Sequence, residues 1–284
     1  MELPVPSAAH LTQVESVFRR VLLVHTDEEP QRDLLEYTAL LASVTVAGDA
    51  VVAAYPSNGV LRDLTPAALR PFEARRLPRP AVELLAEPDV EGVLEAAREH
   101  RADLMIMRHP QAFDASRELA KRILTESPCS VCFVPHGAPP RLRRVLAGLD
   151  LDAAGRTLLD HAVQLCYAAR SEELIGLHAC AREGKLDCSM QLFRLLGEID
   201  LDGLACTPIL EDDSAPQRAL ARIAAERGAD LVVVGRKPGA PPRVAYSLLW
   251  DCSVPVAQML LPLPVTGVRG FLRRVFSNPE PKFD

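Results

Sequence analysis

A chain of 284 residues, 48% of them hydrophobic, is long enough for two domains of ordinary size with a core each. A formal net charge of −6 and a pI near 5.7 exclude a general nucleic-acid binder, which needs a basic surface to meet phosphates. No apolar run approaches the roughly 18 residues that span a bilayer, and the opening MELPVPSAAHLTQVESVF lacks the basic start and apolar run of a secretory leader, so a cytoplasmic protein is expected.

Taken in order, residues 1–18 read as an arm with Leu11, Val14 and Phe18 on one stripe. Arg20 to Thr26 is a first strand, and Asp27-Glu-Glu-Pro30 caps a helix to about Val46, with acids in the first turn to suit the helix dipole. Asp49–Tyr55 and Ala81–Ala86 read as strands, separated by a Pro- and Arg-rich stretch with a short helix at Pro66–Arg75. Pro88–His100 is an amphipathic helix with Val90, Val93, Leu94 and Ala97 on one face. The stretch Arg101 to Pro135 then reads strand, loop, helix, strand. A Pro-rich connector, His136–Pro140, follows.

The second half repeats the order. Arg144–Leu149 is a strand ending on Asp150, Ala153–Ala169 a helix, Glu173–Ala179 a strand, Met190–Leu196 a helix core and Ala205–Leu210 a strand. Ser214-Ala-Pro216 supplies a cap and an N1 proline to a helix ending at Arg227. Leu231–Val234, apolar and β-branched, is a buried parallel strand; a Gly/Pro loop, a helix over Arg243–Asp251 and a strand over Val254–Leu260 close the unit. Both halves carry Ala-Asp before this ending (Asp103 and Asp230, roughly 127 residues apart) and Cys-Ser-Val within it (Cys129 to Val131, Cys252 to Val254), which marks a repeat of domain size. Five strands per copy with right-handed crossovers predict doubly wound parallel sheets covered on both faces.

Seven cysteines scattered through predicted strands and helices read as reduced, mostly buried thiols. Cys129 and Cys132 enter a predicted strand, where residues three apart face opposite sides, and no helix N-terminus is there to stabilise a thiolate. Redox chemistry is not expected of them.

Several of these residues resemble the universal stress protein family in its tandem form. They are Arg-Val-Leu at the first strand of each copy, Asp150 at its end in the second, Gly228 to Gly235 (GADLVVVG) and Pro128 to Pro135 (PCSVCFVP). The resemblance covers roughly residues 19–136 and 142–262. It implies two tandem doubly wound five-stranded parallel sheets of the adenine nucleotide α-hydrolase-like type. The domains would be 19–138 and 139–264, packed as an intramolecular pseudo-dimer and followed by a tail, 265–284.

Nucleotide-binding members of that family carry Gly-x2-Gly-x9-Gly-Ser/Thr after strand four, where glycines admit the phosphates to backbone N–H groups at a helix start. The first copy has no glycine from Arg108 to Ser116. The second keeps Gly235 and Gly239 but has Pro238 where the second glycine would fall and Pro242-Arg243 where Gly-Ser is expected. Pro238, Pro241 and Pro242 lack N–H groups and stiffen the loop. No cofactor is therefore expected. The alternative is an ATP or other adenine-nucleotide site in the second copy using Asp150, which lies by the adenine in such relatives, with Gly235 and Gly239.

Other polar groupings are weighed on the same terms. His25, Asp27 and His109, with Arg108 and Arg117 as anion holders, could meet at the carboxyl edge of the first sheet, but ordinary strand-end residues are the favoured reading. Asp150, Asp152 and His178 lack metal-ligand spacing, and no metal is expected. With no Gly-x-Ser-x-Gly, HExxH or Walker loop, nothing points to an enzyme.

In the tail, Val268, Phe271, Leu272, Val275 and Phe276 share one helix face, with Arg269, Arg273 and Arg274 off it. Phe271, Leu272, Arg273, Arg274, Val275 and Phe276 are the candidate contact for an unidentified protein partner. Packing on its own sheet edge or a dimer mate is the competing reading; peripheral membrane contact is disfavoured by the net negative charge. The expected function is that of a non-catalytic regulatory or interaction protein of the stress-response type.

Overall fold

In the computed structural model, which describes residues 18–24, 31–44, 51–56, 66–85, 89–110, 114–180, 185–199, 201, 203–213, 215–237 and 239–261, short apolar strands alternate with amphipathic helices. The first copy runs β1 (Val21–Val24), α1 (Arg32–Ser43), β2 (Val51–Pro56), α2 (Pro66–Ala74), β3 (Ala81–Leu85), α3 (Val90–Glu99), β4 (Leu104–Arg108), α4 (Asp114–Glu126) and β5 (Ser130–Val134). The second runs β6 (Arg144–Gly148), α5 (Ala153–Ala169), β7 (Glu173–Cys180), α6 (Lys185–Gly197), β8 (Ala205–Asp212), α7 (Pro216–Arg227), β9 (Leu231–Arg236), α8 (Arg243–Asp251) and β10 (Val256–Leu260).

The expected order of elements holds in each copy, and the two half-sheets have the same doubly wound order, β3-β2-β1-β4-β5 and β8-β7-β6-β9-β10. They are not two separate sheets. β5 and β10 pair antiparallel, Phe133 opposite Val256 and Val131 opposite Gln258, so all ten strands form one continuous sheet. Two apolar layers cover its faces. In β9, Leu231 and Val233 join one and Val232 and Val234 the other, as the two-residue period of a strand requires. Each layer runs through both copies: Leu34 and Val134 share a cluster with Leu158 and Met259. Cys132 lies in one layer and Cys129 in the other, as their spacing predicts, and no cysteine is in a disulfide.

The repeated Ala-Asp has a structural reason. Asp103 Oδ2 accepts from the Arg19 and Arg20 amides at 2.9 and 3.0 Å, and Asp230 Oδ2 accepts from the Arg143 and Arg144 amides at 2.8 and 3.0 Å. Each carboxylate thus satisfies the N–H groups entering the central strand of its copy. Cys-Ser-Val is less symmetric: Ser130 and Val131 lie inside β5, whereas Cys252 to Val254 precede β10, which begins two residues later than expected. Two helix starts also differ. The N-cap of α1 is Gln31 and that of α7 is Ala215, neither with a side-chain cap, although Pro216 does stand at N1; residues 25–30 and Ser214 lie outside the described residues.

Candidate functional site

In open α/β sheets ligands bind outside the carboxyl ends of the strands, where the strand order reverses. In the second copy the ends of β6, β7 and β9 enclose a cavity of about 140 Å³, lined among others by Asp150, Gly155, His178, Gly235 and Lys237. Asp152 caps α5, accepting from the Ala154 and Gly155 amides at 2.9 and 3.0 Å. Lys237 Nζ lies 2.7 Å from Asp150 Oδ2 and 2.8 Å from Asp152 Oδ2. Burial pushes the Asp152 pKa up, but Lys237 and the helix amides outweigh it and hold the carboxyl below its ordinary value. Hydrogen bonds to Asp150 and Asp152 raise the Lys237 pKa in turn. One ammonium between two carboxylates leaves the mouth of the cleft net negative.

A nucleotide polyphosphate would need amide donors and an open approach, and the described residues offer little of either. Pro242 is the N-cap of α8, Pro241 and Pro242 carry no N–H, and the Arg243 amide is given to Pro241 O at 2.9 Å. A Cβ at Gly235 would lie 2.7 Å from Leu261 Cδ1, the end of a side chain that can shift to make room. Gly239 has φ +76° with open space around it, so its role is to turn the chain. The cavity is also small against the ~300–1,000 Å³ of ordinary ligand sites. Pro238 lies outside the described residues.

The first copy differs at the corresponding point. Val21 opposes Leu104 and Val145 opposes Leu231, which makes Arg108 the counterpart of Gly235 and His109 that of Arg236. Arg108 places a guanidinium where the second copy has its cleft. It donates to Asp33 Oδ1 at 2.6 Å, Asp33 Oδ2 at 3.1 Å and Pro135 O at 3.0 Å. Gly137 donates its amide to the same Asp33 at 2.6 Å. Burial opposes ionisation of Asp33, but Arg108 and the Gly137 and Leu34 amides outweigh it and bring the pKa down to about 2.

Arg108, His109 and Arg117, for which ordinary strand-end roles are the favoured reading, do not converge on one site. Arg108 turns inward, while Arg117 Cζ lies 4.6 Å above the Trp250 ring and His109 meets that ring edge-on at 6.5 Å. Both are contacts to the other copy. Burial lowers the His109 pKa to about 4. His25 and Asp27 lie outside the described residues.

His109's counterpart, Arg236, makes the reciprocal contact. It is buried and donates to the carbonyls of Leu124 at 2.8 Å, Thr125 at 3.0 Å and Ser127, at the carboxyl end of α4 in the first copy. Cations are favoured at that end of a helix.

Sequence reasoning missed Arg236, Lys237 and Asp33, because each acts on residues far along the chain. Asp150 and His178 line the same cavity, but their polar partners differ. The carboxylates go to Lys237, while His178 Nδ1 lies 2.8 Å from Leu149 O and its ring groups with Cys180 and Cys188. The tail residues Phe271, Leu272, Arg273, Arg274, Val275 and Phe276 lie outside the described residues.

No known protein-family model and no curated protein matches the sequence. Solved structures do. A universal stress protein from Archaeoglobus fulgidus superposes with a TM-score of 0.63 at 14% identity, over 87% of this chain and 97% of that one. A functionally unknown protein from Pseudomonas aeruginosa gives 0.61 at 17% identity, over 86% and 93%. The cytoplasmic domain of a prokaryotic cation chloride cotransporter gives 0.55 at 13% identity, over 84% and 94%. The likeness is one of fold: the chain has the universal stress protein fold in its tandem form. Among the described residues no helix is long and apolar enough to cross a membrane.

Proposed function

We propose that this protein is a non-catalytic cytoplasmic regulator of the universal stress type, acting through protein contacts rather than through ATP held in the family's usual manner. One observation carries the reading: at both sheet edges the chain's own charges occupy the ground a polyphosphate would need. Arg108 is paired with Asp33 in the first copy, and Lys237 with Asp150 and Asp152 in the second. A similar fold occurs in the cytoplasmic domain of a prokaryotic cation chloride cotransporter. The partner contact is assigned to residues 265–284; a pull-down in which their deletion changes no bound protein would remove the tail from the reading.

The cavity beside Asp150 favours a second reading, an adenine-nucleotide sensor in the second copy using Asp150, Gly235 and Gly239. A thermal-shift titration with ATP, ADP, AMP and cyclic AMP separates the two. Ligand at a hundred times its Kd adds about 2.7 kcal/mol, which raises Tm by about 5–10 °C in a chain of this size. No shift with any nucleotide is expected. A shift abolished by Asp150→Ala would overturn the regulator reading in favour of the sensor.

A further inference from the structure

His178 and Cys180 are two residues apart on β7 and therefore share a face of the sheet, and Cys188 stands in the first turns of α6, which follows. One ligand atom from each of the three lies within 4.8 Å of the other two. Cys180 is buried, and His178 and Cys188 are half-buried. Around a tetrahedral zinc ion, with Zn–S near 2.3 Å and Zn–N near 2.0–2.1 Å, donor atoms stand about 3.6–3.8 Å apart. The three side chains need to close by only about 1 Å.

The imidazole is prepared for that role. Nδ1 lies 2.8 Å from the Leu149 carbonyl oxygen, so Nδ1 donates and Nε2 keeps the lone pair. Ligating histidines are typically oriented in this way, by an outer carbonyl or carboxylate. Two adjacent thiolates would need a counter-cation, and a dication between them supplies it.

We propose that His178 Nε2, Cys180 Sγ and Cys188 Sγ bind one zinc ion, with water at the fourth position, and so staple the end of β7 to the start of α6. Each thiol releases its proton to solvent and coordinates as thiolate; no electron transfer is involved. Two thiolates and one imidazole suit zinc over magnesium or calcium, which take oxygen ligands. The site stands apart from the proposed regulatory reading and does not depend on it.

The test uses the full chain, reduced and stripped with chelator, then titrated with Co²⁺ and back-titrated with Zn²⁺. One cobalt per chain is expected, bound with release of two protons and showing thiolate-to-cobalt charge-transfer absorption and the visible bands of a tetrahedral ion, and then displaced by zinc. Cys188→Ser, at a half-buried position, should abolish the charge-transfer contribution of that sulfur and weaken binding at least about a hundredfold, beyond the effect typical of outer-shell partners. His178→Gln should weaken it comparably with circular dichroism unchanged, and Cys206→Ser should leave both spectrum and affinity intact. Absence of stoichiometric cobalt, a spectrum unmoved by Cys188→Ser, or a Cys180–Cys188 disulfide persisting in reductant would overturn the site.

Discussion

Arg236 offers the sharpest test of how the two copies are joined. Its guanidinium is buried and meets three carbonyls of the first copy, those of Leu124, Thr125 and Ser127, from 109 to 112 residues away in the chain. Replacement by Met keeps most of the side-chain volume and removes all three bonds. Hydrogen bonds to charged groups contribute about 1.5–3 kcal/mol each, but three from one group do not add, and desolvation of the guanidinium offsets part of the gain. The desolvation is visible as a lowered Arg236 pKa. A net loss of about 3 kcal/mol follows, or about 6–12 °C in Tm for a protein of this size. Arg236→Lys keeps the charge without the fork and should fall between. Differential scanning calorimetry of the three proteins at neutral pH measures this. A drop below about 2 °C for Arg236→Met would refute the view that this contact holds the copies together.

Gly235→Ala places a methyl 2.7 Å from Leu261 Cδ1, the movable end of that side chain, so the cost is at the low end of overpacking, about 1 kcal/mol. In a double-mutant cycle with Leu261→Ala, urea unfolding should give a favourable coupling above about 0.5 kcal/mol; additivity would remove the packing reason for that glycine. Asp33 has its folded pKa depressed from 3.8 to about 2, so its contribution is present above about pH 4 and lost as pH falls from 4 towards 2. The stability difference between the protein and Asp33→Asn should be roughly 2 kcal/mol at pH 6 and shrink across that window; a pH-independent difference would contradict the Arg108 pairing. His109 has its folded pKa depressed by burial to about 4, so the sign is the same as for Asp33, although here it is the neutral form that the fold favours. The unfolded chain takes the proton first, so stability declines from pH 6.5 towards 4. His109→Gln should flatten that decline in urea titrations, and a slope unchanged by the substitution would place His109 in water rather than against Trp250.

Much of the architecture was legible because it is written in local periodicity. Apolar runs of four to six residues, alternating with stretches of 3.6-residue period, gave the order of elements in each copy. The helices Ala153–Ala169 and Arg243–Asp251 have the bounds their patterns predict. The repeat of Ala-Asp was visible in sequence, and its cause is local to each copy: a carboxylate on the N–H groups that enter the neighbouring strand. The cysteine spacing likewise settled that Cys129 and Cys132 face opposite layers, because the pleat permits nothing else.

What tertiary structure alone decided lies at long separations. The antiparallel pairing of β5 with β10 turns two half-sheets into one, and backbone hydrogen bonds between edge strands leave no periodic mark in sequence. Arg108 reaching Asp33, and Lys237 reaching Asp150 and Asp152, join residues 75 to 87 positions apart. A loop poor in glycine can be seen in the letters; that a guanidinium and an ammonium stand on the same ground cannot. His178, Cys180 and Cys188 make the same point within one crossover: the strand period places two of them on one face, and only the packing of α6 against the sheet brings the third.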